Sequence, residues 1–247
     1  MHFGFFFVKL GSRVFHAKEY NQESKSLVLL MIRTISFFFL FLAFTVLSVG
    51  KSQSQDANTS YTNDQVNFNF GLKAYKKRDY QTALKEWMPL ASKGNVLAQY
   101  NLAMMHRLGL GVPKDLTEAV KWYQLAAANG DVRSQYTLGT LYQFPKHGLI
   151  SDYKKAISFY RSAAKQGHSN AQRNLGIMYW KGLGITKNLI SAYVWTNMAI
   201  LTATGSYKNS ELAMDNLMAL KELMSPSDLD KANKLAEKCA SLDFKGC

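Results

Sequence analysis

Gly94-Asn95-Val96-Leu97-Ala98-Gln99-Tyr100-Asn101-Leu102-Ala103, Gly130-Asp131-Val132-Arg133-Ser134-Gln135-Tyr136-Thr137-Leu138-Gly139 and Gly167-His168-Ser169-Asn170-Ala171-Gln172-Arg173-Asn174-Leu175-Gly176 are one phrase written three times. The glycines that open the copies, and the glutamines inside them, fall 36 and then 37 residues apart. Ala83, Ala119, Ala156 and Ala192 take the same step. Self-similarity at this period marks stacked helical hairpins, because a unit so short cannot bury its own apolar face and must lean on a neighbour.

Within each unit the spacing sets two helices. Ala98, Leu102 and Ala103, then Ser134, Leu138, Gly139 and Tyr142, then Ala171, Leu175, Gly176 and Tyr179, lie on one helical stripe. The i, i+4, i+8 pattern turns that stripe toward a second helix, and the Gly or Ala lets the two approach closely. The second helices open after Asp115, Asp152 and Asn188, whose side chains can accept from unpaired amides of a first turn. Glu118 stands where a capping box would have it reach back to Asp115. Trp122-Tyr123, Phe159-Tyr160 and Val194-Trp195 follow, then Ala126-Ala127, Ala163-Ala164 and Ala199, and Gly130 and Gly167 close two of these helices.

Leu-Gly-x-x-Tyr, the turns Gly109-Leu110-Gly111-Val112 and Gly182-Leu183-Gly184-Ile185, an Asp-type cap, Trp-Tyr, Ala-Ala and a closing Gly resemble the Sel1-like repeat, a relative of the tetratricopeptide repeat. The resemblance covers residues 68–203. It implies an all-α fold: a right-handed α-solenoid of antiparallel helix pairs. Four repeats are expected, at 68–95, 96–131, 132–168 and 169–203. The first has a shorter turn, closer to the tetratricopeptide form, yet keeps Gly71, Tyr75, Tyr80, Ala83 and Trp87. His106 stands where later copies carry Tyr142 and Tyr179, and Phe144-Pro145-Lys146-His147-Gly148 replaces the Gly-x-Gly turn, which makes that loop a candidate specificity element. Residues 204–247 are expected to form a helical cap, with helices near Asn209–Met224 and Ser227–Ser241, because the end face of a solenoid would otherwise expose apolar surface.

The N-terminal part is of another kind. Met31-Ile32-Arg33, an uncharged run from Thr34 to Gly50 built on Phe37-Phe38-Phe39-Leu40-Phe41-Leu42, and a polar exit at Lys51-Ser52-Gln53 make a signal peptide over 31–50, with cleavage expected after Gly50. Residues 1–30 read as an upstream extension and 51–67 as a flexible linker. The alternative, an uncleaved anchor, is disfavoured because the run falls short of the roughly 20 residues that a membrane span needs. The sole membrane contact expected is through that segment. Cys239 and Cys247, the two cysteines of the chain, are expected to pair as a structural disulfide in an oxidising compartment. Export to the periplasm of a bacterium, or secretion, follows. The sequon Asn58-Thr59-Ser60 matters only in a eukaryotic secretory pathway.

The chain carries 30 Lys and Arg against 17 Asp and Glu, and residues 51–247 keep 25 of the first and 15 of the second. The excess therefore belongs to the folded part. Such charge can serve nucleic acid, anionic lipid or an acidic protein, but the lysines are scattered and only Lys76-Lys77-Arg78 clusters, so no nucleic-acid partner is expected. No nucleophile elbow, metalloprotease helix, phosphate loop or dinucleotide fingerprint occurs, and neither a catalytic residue, a metal nor a cofactor is expected. His106 reads as a satisfied helix-interface histidine, and His147 and His168 as solvated turn residues.

If the tetratricopeptide geometry holds, the first helices line a concave groove and present Leu97, Tyr100, Met104, Arg107, Arg133, Tyr136, Thr140, Gln143, Asn170, Arg173, Ile177 and Trp180. Tyr, Trp and Arg anchor interfaces, and Met adapts to varied partners. Tyr100, Met104, Arg107, Arg133, Tyr136, Arg173, Ile177 and Trp180 are the candidate partner-binding residues. The expectation is a monomeric, non-enzymatic scaffold that holds a protein or peptide in this groove. Two alternatives are a cell-envelope enzyme that binds or hydrolyses β-lactams, as cysteine-rich relatives suggest, and a secreted binder of a host or surface factor.

Overall fold

Why one residue can both end a helix and begin the next is visible at three places in the chain. Ala91, Ala127 and Ala164 accept from the amides of Gly94, Gly130 and Gly167, while Leu90, Ala126 and Ala163 accept from those of Asn95, Asp131 and His168. This paired wrap closes a helix through a residue in the left-handed region, and each glycine has φ between 80° and 94°. Asn95, Asp131 and His168 then turn their own side chains forward to accept from the amides of Ala98, Ser134 and Ala171. One residue thus fixes the angle between successive units.

The computed structural model describes residues 63–145, 150–203, 207–244 and Cys247, and these lie in one compact unit, Thr62–Cys247. Ten helices occur among them: α1 (63–76), α2 (Tyr80–Ser92), α3 (Val96–Leu108), α4 (Leu116–Ala128), α5 (Val132–Gln143), α6 (Tyr153–Ala164), α7 (Ser169–Lys181), α8 (Leu189–Thr202), α9 (Tyr207–Leu223) and α10 (Pro226–Ser241). The upstream extension, the signal peptide and the linker as far as Thr62 lie outside the described residues, as do Lys146, His147 and Gly148 of the altered loop. Helix α1 takes in residues 63–67, which the sequence pattern gives to the linker; the one apolar residue there, Val66, is exposed and makes no apolar period to betray the helix.

From α2 to α9 each helix packs on the next in chain order, while α10 packs on α8, which makes the all-helical stack of a solenoid with α9 and α10 at its end. The close contact inside a pair is made by one position. A Cβ on Gly71 would lie 2.5 Å from the Trp87 indole, one on Gly139 2.6 Å from the Tyr160 ring, and one on Gly176 2.5 Å from Thr196 Oγ1. Trp87, Tyr123, Tyr160 and Thr196 occupy one register of the second helices, and the three aromatic rings are buried. The outer turns interlock in the same way. Gly111 packs on Tyr80 and Gly184 on Tyr153, each leaving no room for a side chain, and Gln81 donates to the Gly111 carbonyl at 2.8 Å.

Asp115, Asp152 and Asn188 cap α4, α6 and α8 as their spacing indicates, accepting from the amides of Glu118, Lys155 and Ser191. The capping box is not completed, because the Glu118 carboxylate accepts from Lys121 Nζ at 2.8 Å instead. Helix α8 buries seven residues, more than any neighbour, since α7, α9 and α10 all pack against it. Cys239 and Cys247 lie with Cα atoms 5.2 Å apart, within the span that a disulfide takes. That pairing folds Phe244 and Cys247 back onto Val194, Met198 and Ala236.

Candidate functional site

The first helices are tied to the stack by a buried amide. Gln99, Gln135 and Gln172 each donate from Nε2 to a carbonyl eight residues earlier, on Ala91, Ala127 and Ala164. Their Oε1 atoms differ. Gln135 Oε1 accepts from Gln166 Nε2 at 2.8 Å and Gln172 Oε1 from the Thr202 hydroxyl at 2.5 Å, whereas Gln99 Oε1 is buried without a partner. In that copy the donor's place falls to Asn129, one methylene shorter, which donates to Leu125 O of its own helix. This anchorage leaves the opposite faces of α3, α5 and α7 to be presented outward.

Tyr100, on α3, lies half-buried with its ring 5.8 Å from that of Tyr123, and the Arg133 guanidinium sits over its other face at 3.9 Å. Arg133, on α5, also donates to Asp131 Oδ2 at 2.9 and 3.2 Å. Arg107 donates from Nε to the Tyr123 hydroxyl at 3.2 Å. Tyr136 is held between Tyr160 and His168, with ring centroids at 6.1 and 4.5 Å. On α7, Arg173 donates from Nε to Asn209 Oδ1 at 2.9 Å and so joins the face to the cap. Met104 and Ile177 are half-buried on the same helices. Trp180 is drawn away from the others, into the cluster of Ala192, Tyr193, Leu217 and Leu220 between α8 and the cap.

Buried residues of the second helices bond through their hydroxyls to side chains of the first, though the sequence pattern marks them only as packing. The Tyr160 hydroxyl donates to Gln143 Oε1 at 2.8 Å, lies 3.3 Å from Thr140 Oγ1, and accepts from Asn174 Nδ2 at 3.1 Å. Arg107 and Tyr123 make one polar pair, and Thr140, Gln143, Asn174 and the buried Tyr160 make a separate polar network. Gln143, expected at the groove surface, is buried as part of it because Tyr160 reaches across to claim its carbonyl. The one legible signal was that Tyr123 and Tyr160 recur at the same register, where a hydroxyl on a core ring must find a partner.

Burial pushes the Tyr160 hydroxyl up to about 12 and raises that of Tyr123, so both remain protonated and act as neutral donors. Burial lowers the pKa of His168, whose neutral Nδ1 accepts from the Ala171 amide. This corrects the expectation of a solvated turn: the ring is needed as a helix cap and is stacked on Tyr136. His106 differs from expectation too, since its Nδ1 is buried without a hydrogen-bond partner. The hydroxyls of Tyr142 and Tyr179, at the same register, accept from Gln124 and Arg161, and the corresponding position in the preceding unit is Met88, which has no proton to give. Among the described residues no group of three or more His, Cys, Asp or Glu is placed to hold a metal, and no helix is long and apolar enough to cross a membrane.

The family model of the Sel1 repeat matches residues 96–131, 132–168 and 169–201, so the chain carries three Sel1 repeats. Among curated proteins, 70 residues are 39% identical to the DAP3-binding cell death enhancer 1 of Rattus norvegicus, covering 28% of this chain and 14% of that protein. The Mus musculus protein of the same name is 37% identical over 70 residues, again 28% and 14%. The chain thus matches a small part of the length of these relatives. Among solved structures, a Sel1 repeat protein from Oxalobacter formigenes superposes with a TM-score of 0.54 at 28% identity, over 61% of this chain and 57% of that one. A protective antigen of uropathogenic Escherichia coli strains, displaying the SLR fold, gives 0.43 at 23% identity, over 75% and 48%.

Proposed function

We propose that this chain, which carries three Sel1 repeats at residues 96–201, is an exported, monomeric scaffold that holds a protein or peptide partner on the face formed by α3, α5 and α7. Sel1 repeats are generally scaffolds for protein–protein interaction, and the superposition on the Oxalobacter formigenes repeat protein supports that reading for the fold. The observation that carries the binding face is that α3, α5 and α7 leave Tyr100, Arg107, Tyr136 and Arg173 half-buried and Arg133 exposed, while the second helices turn alanine and buried rings toward their neighbours. Tyr and Arg are the residues that most often anchor interfaces.

Export is supported by the charged, apolar and polar segments over 31–55 and by the cysteine pair placed for a disulfide. The family's scaffolding role speaks against an enzyme. Tyr123, Tyr160 and His168, the perturbed groups on this face, are each occupied as a hydrogen-bond partner within the fold. The envelope enzyme that acts on β-lactams therefore ranks second, and turnover of a chromogenic cephalosporin would bring it forward.

Photo-crosslinking tests the binding face. A benzophenone residue at Tyr136, on α5, should capture a discrete protein in living cells, and one at Lys155, on the opposite helix α6, should not. Equal adducts from both positions, or none from Tyr136, would overturn the assignment.

A further inference from the structure

The charge of the repeats is unevenly committed. Residues 96–203 hold twelve Lys and Arg against four acidic residues, Asp115, Glu118, Asp131 and Asp152. Each of the four is engaged inside the fold: the three aspartates cap helices, and Glu118 pairs with Lys121. Helices α3, α5 and α7 contain no Asp or Glu at all. The face they form therefore offers cations and neutral donors without a carboxylate of its own helices to repel an anion.

Two of those cations are set apart. Arg133 lies against Asp131, but Arg107 and Arg173 rest on neutral oxygens, the Tyr123 hydroxyl and Asn209 Oδ1, and neither meets a carboxylate among the described residues. Both are half-buried. A guanidinium that has lost part of its water and gained only neutral acceptors is short of a counter-charge, and its planar fork fits a carboxylate with two hydrogen bonds.

We infer that the occupant of the face is an extended acidic peptide segment, with carboxylates that pair with Arg107 at one end and Arg173 at the other. This rests on the scaffold reading and names its partner's chemistry. A single-stranded nucleic acid would bring phosphates too, but it relies on free aromatic faces for base stacking. Here Tyr100 is already covered by Arg133 and Tyr136 by His168.

The test uses the full chain and fluorescein-labelled peptides of roughly ten residues: alternating Glu and Ser, the Gln and Ser counterpart, and an oligo-uridylate of similar length. In fluorescence anisotropy the Glu peptide should bind at least about tenfold more tightly than the Gln peptide, and the difference should shrink as salt rises toward about 0.5 M. Arg107→Gln and Arg173→Gln should each remove most of that preference, with thermal melts confirming that the variants fold. Arg173→Lys should restore it in part, and Lys154→Gln on α6 should leave it unchanged. Equal binding of the Glu and Gln peptides, tighter binding of the oligo-uridylate, or a preference that survives both Arg substitutions would overturn the inference. Capture at Tyr136 of a partner segment without acidic residues would sink the acidic peptide while keeping the scaffold; no capture there would remove both.

Discussion

At the scale of single residues, the buried glutamines show where the repeat is imperfect. Gln99 Oε1 lacks the donor that Gln166 and Thr202 give to its counterparts, because Asn129 is too short to reach it. Asn129→Gln should supply the missing hydrogen bond and stabilise the protein by about 1 kcal/mol, a rise in melting temperature of about 2–4 °C for a domain of this size. Gln172→Leu should do the reverse, removing the two side-chain hydrogen bonds to the Ala164 carbonyl and the Thr202 hydroxyl at a cost of about 1–3 kcal/mol. Both are read from thermal melts. His168 makes a pH-dependent contribution of known sign. Its pKa is lowered in the folded state by burial, so the cap's stability is fully present above the unfolded value and is lost as pH falls through the folded one. His168→Asn, the residue that caps α3 at Asn95, should flatten the stability profile below about pH 6.5, and a profile unchanged by the substitution would contradict the role. Nothing in the pattern signals this role, since a histidine among turn residues reads as solvated until its Nδ1 is seen to face the Ala171 amide.

At the scale of helices, most of the pattern was legible because packing imposes it. Glycine or alanine at Gly71, Ala103, Gly139 and Gly176 faces the ring or hydroxyl of the second helix, so the small residues announce a close approach. The caps Asp115, Asp152 and Asn188 were legible for the same kind of reason, since an unpaired first turn needs an acceptor at a fixed offset. Two features were not. The caps of α3, α5 and α7 were hidden because Asn95, Asp131 and His168 also close the helix before them, and His168 is not an ordinary cap residue. The polar network was hidden because Tyr123 and Tyr160 are core rings, and only their hydroxyls bond to Arg107 and Gln143. Two glycine substitutions separate the causes of small-residue preference. Gly139→Ala should cost about 1–3 kcal/mol through overlap with Tyr160. Gly94→Ala meets nothing within 4 Å, and its cost of about 1–2 kcal/mol comes from φ alone. A second change that shrinks Tyr160 should relieve the first and leave the second untouched.

At the scale of the whole stack, the ends and the faces carry different duties. The C-terminal end is closed by α9 and α10, with Cys239 and Cys247 placed to hold Phe244 against α8. Reduction of that pair should lower stability by about 2 kcal/mol, the entropy of closing so short a loop, and a melt unchanged by reductant would show that the tail is held by packing alone. Within the bulk charge excess that composition reveals, Asp115 and Asp152 are engaged in caps of the second helices, while the face of the first helices holds Arg107 and Arg173 without a carboxylate partner among the described residues. Which helices would present that face was legible from the period, but its make-up depended on contacts between units that no single repeat encodes. Hydrogen exchange of the protein with and without its captured partner addresses the central claim most directly. Slowed exchange should appear on binding in α3, α5 and α7 and leave α4 and α6 as they were; protection confined to α4 and α6 would place the partner on the other side of the stack and contradict the account.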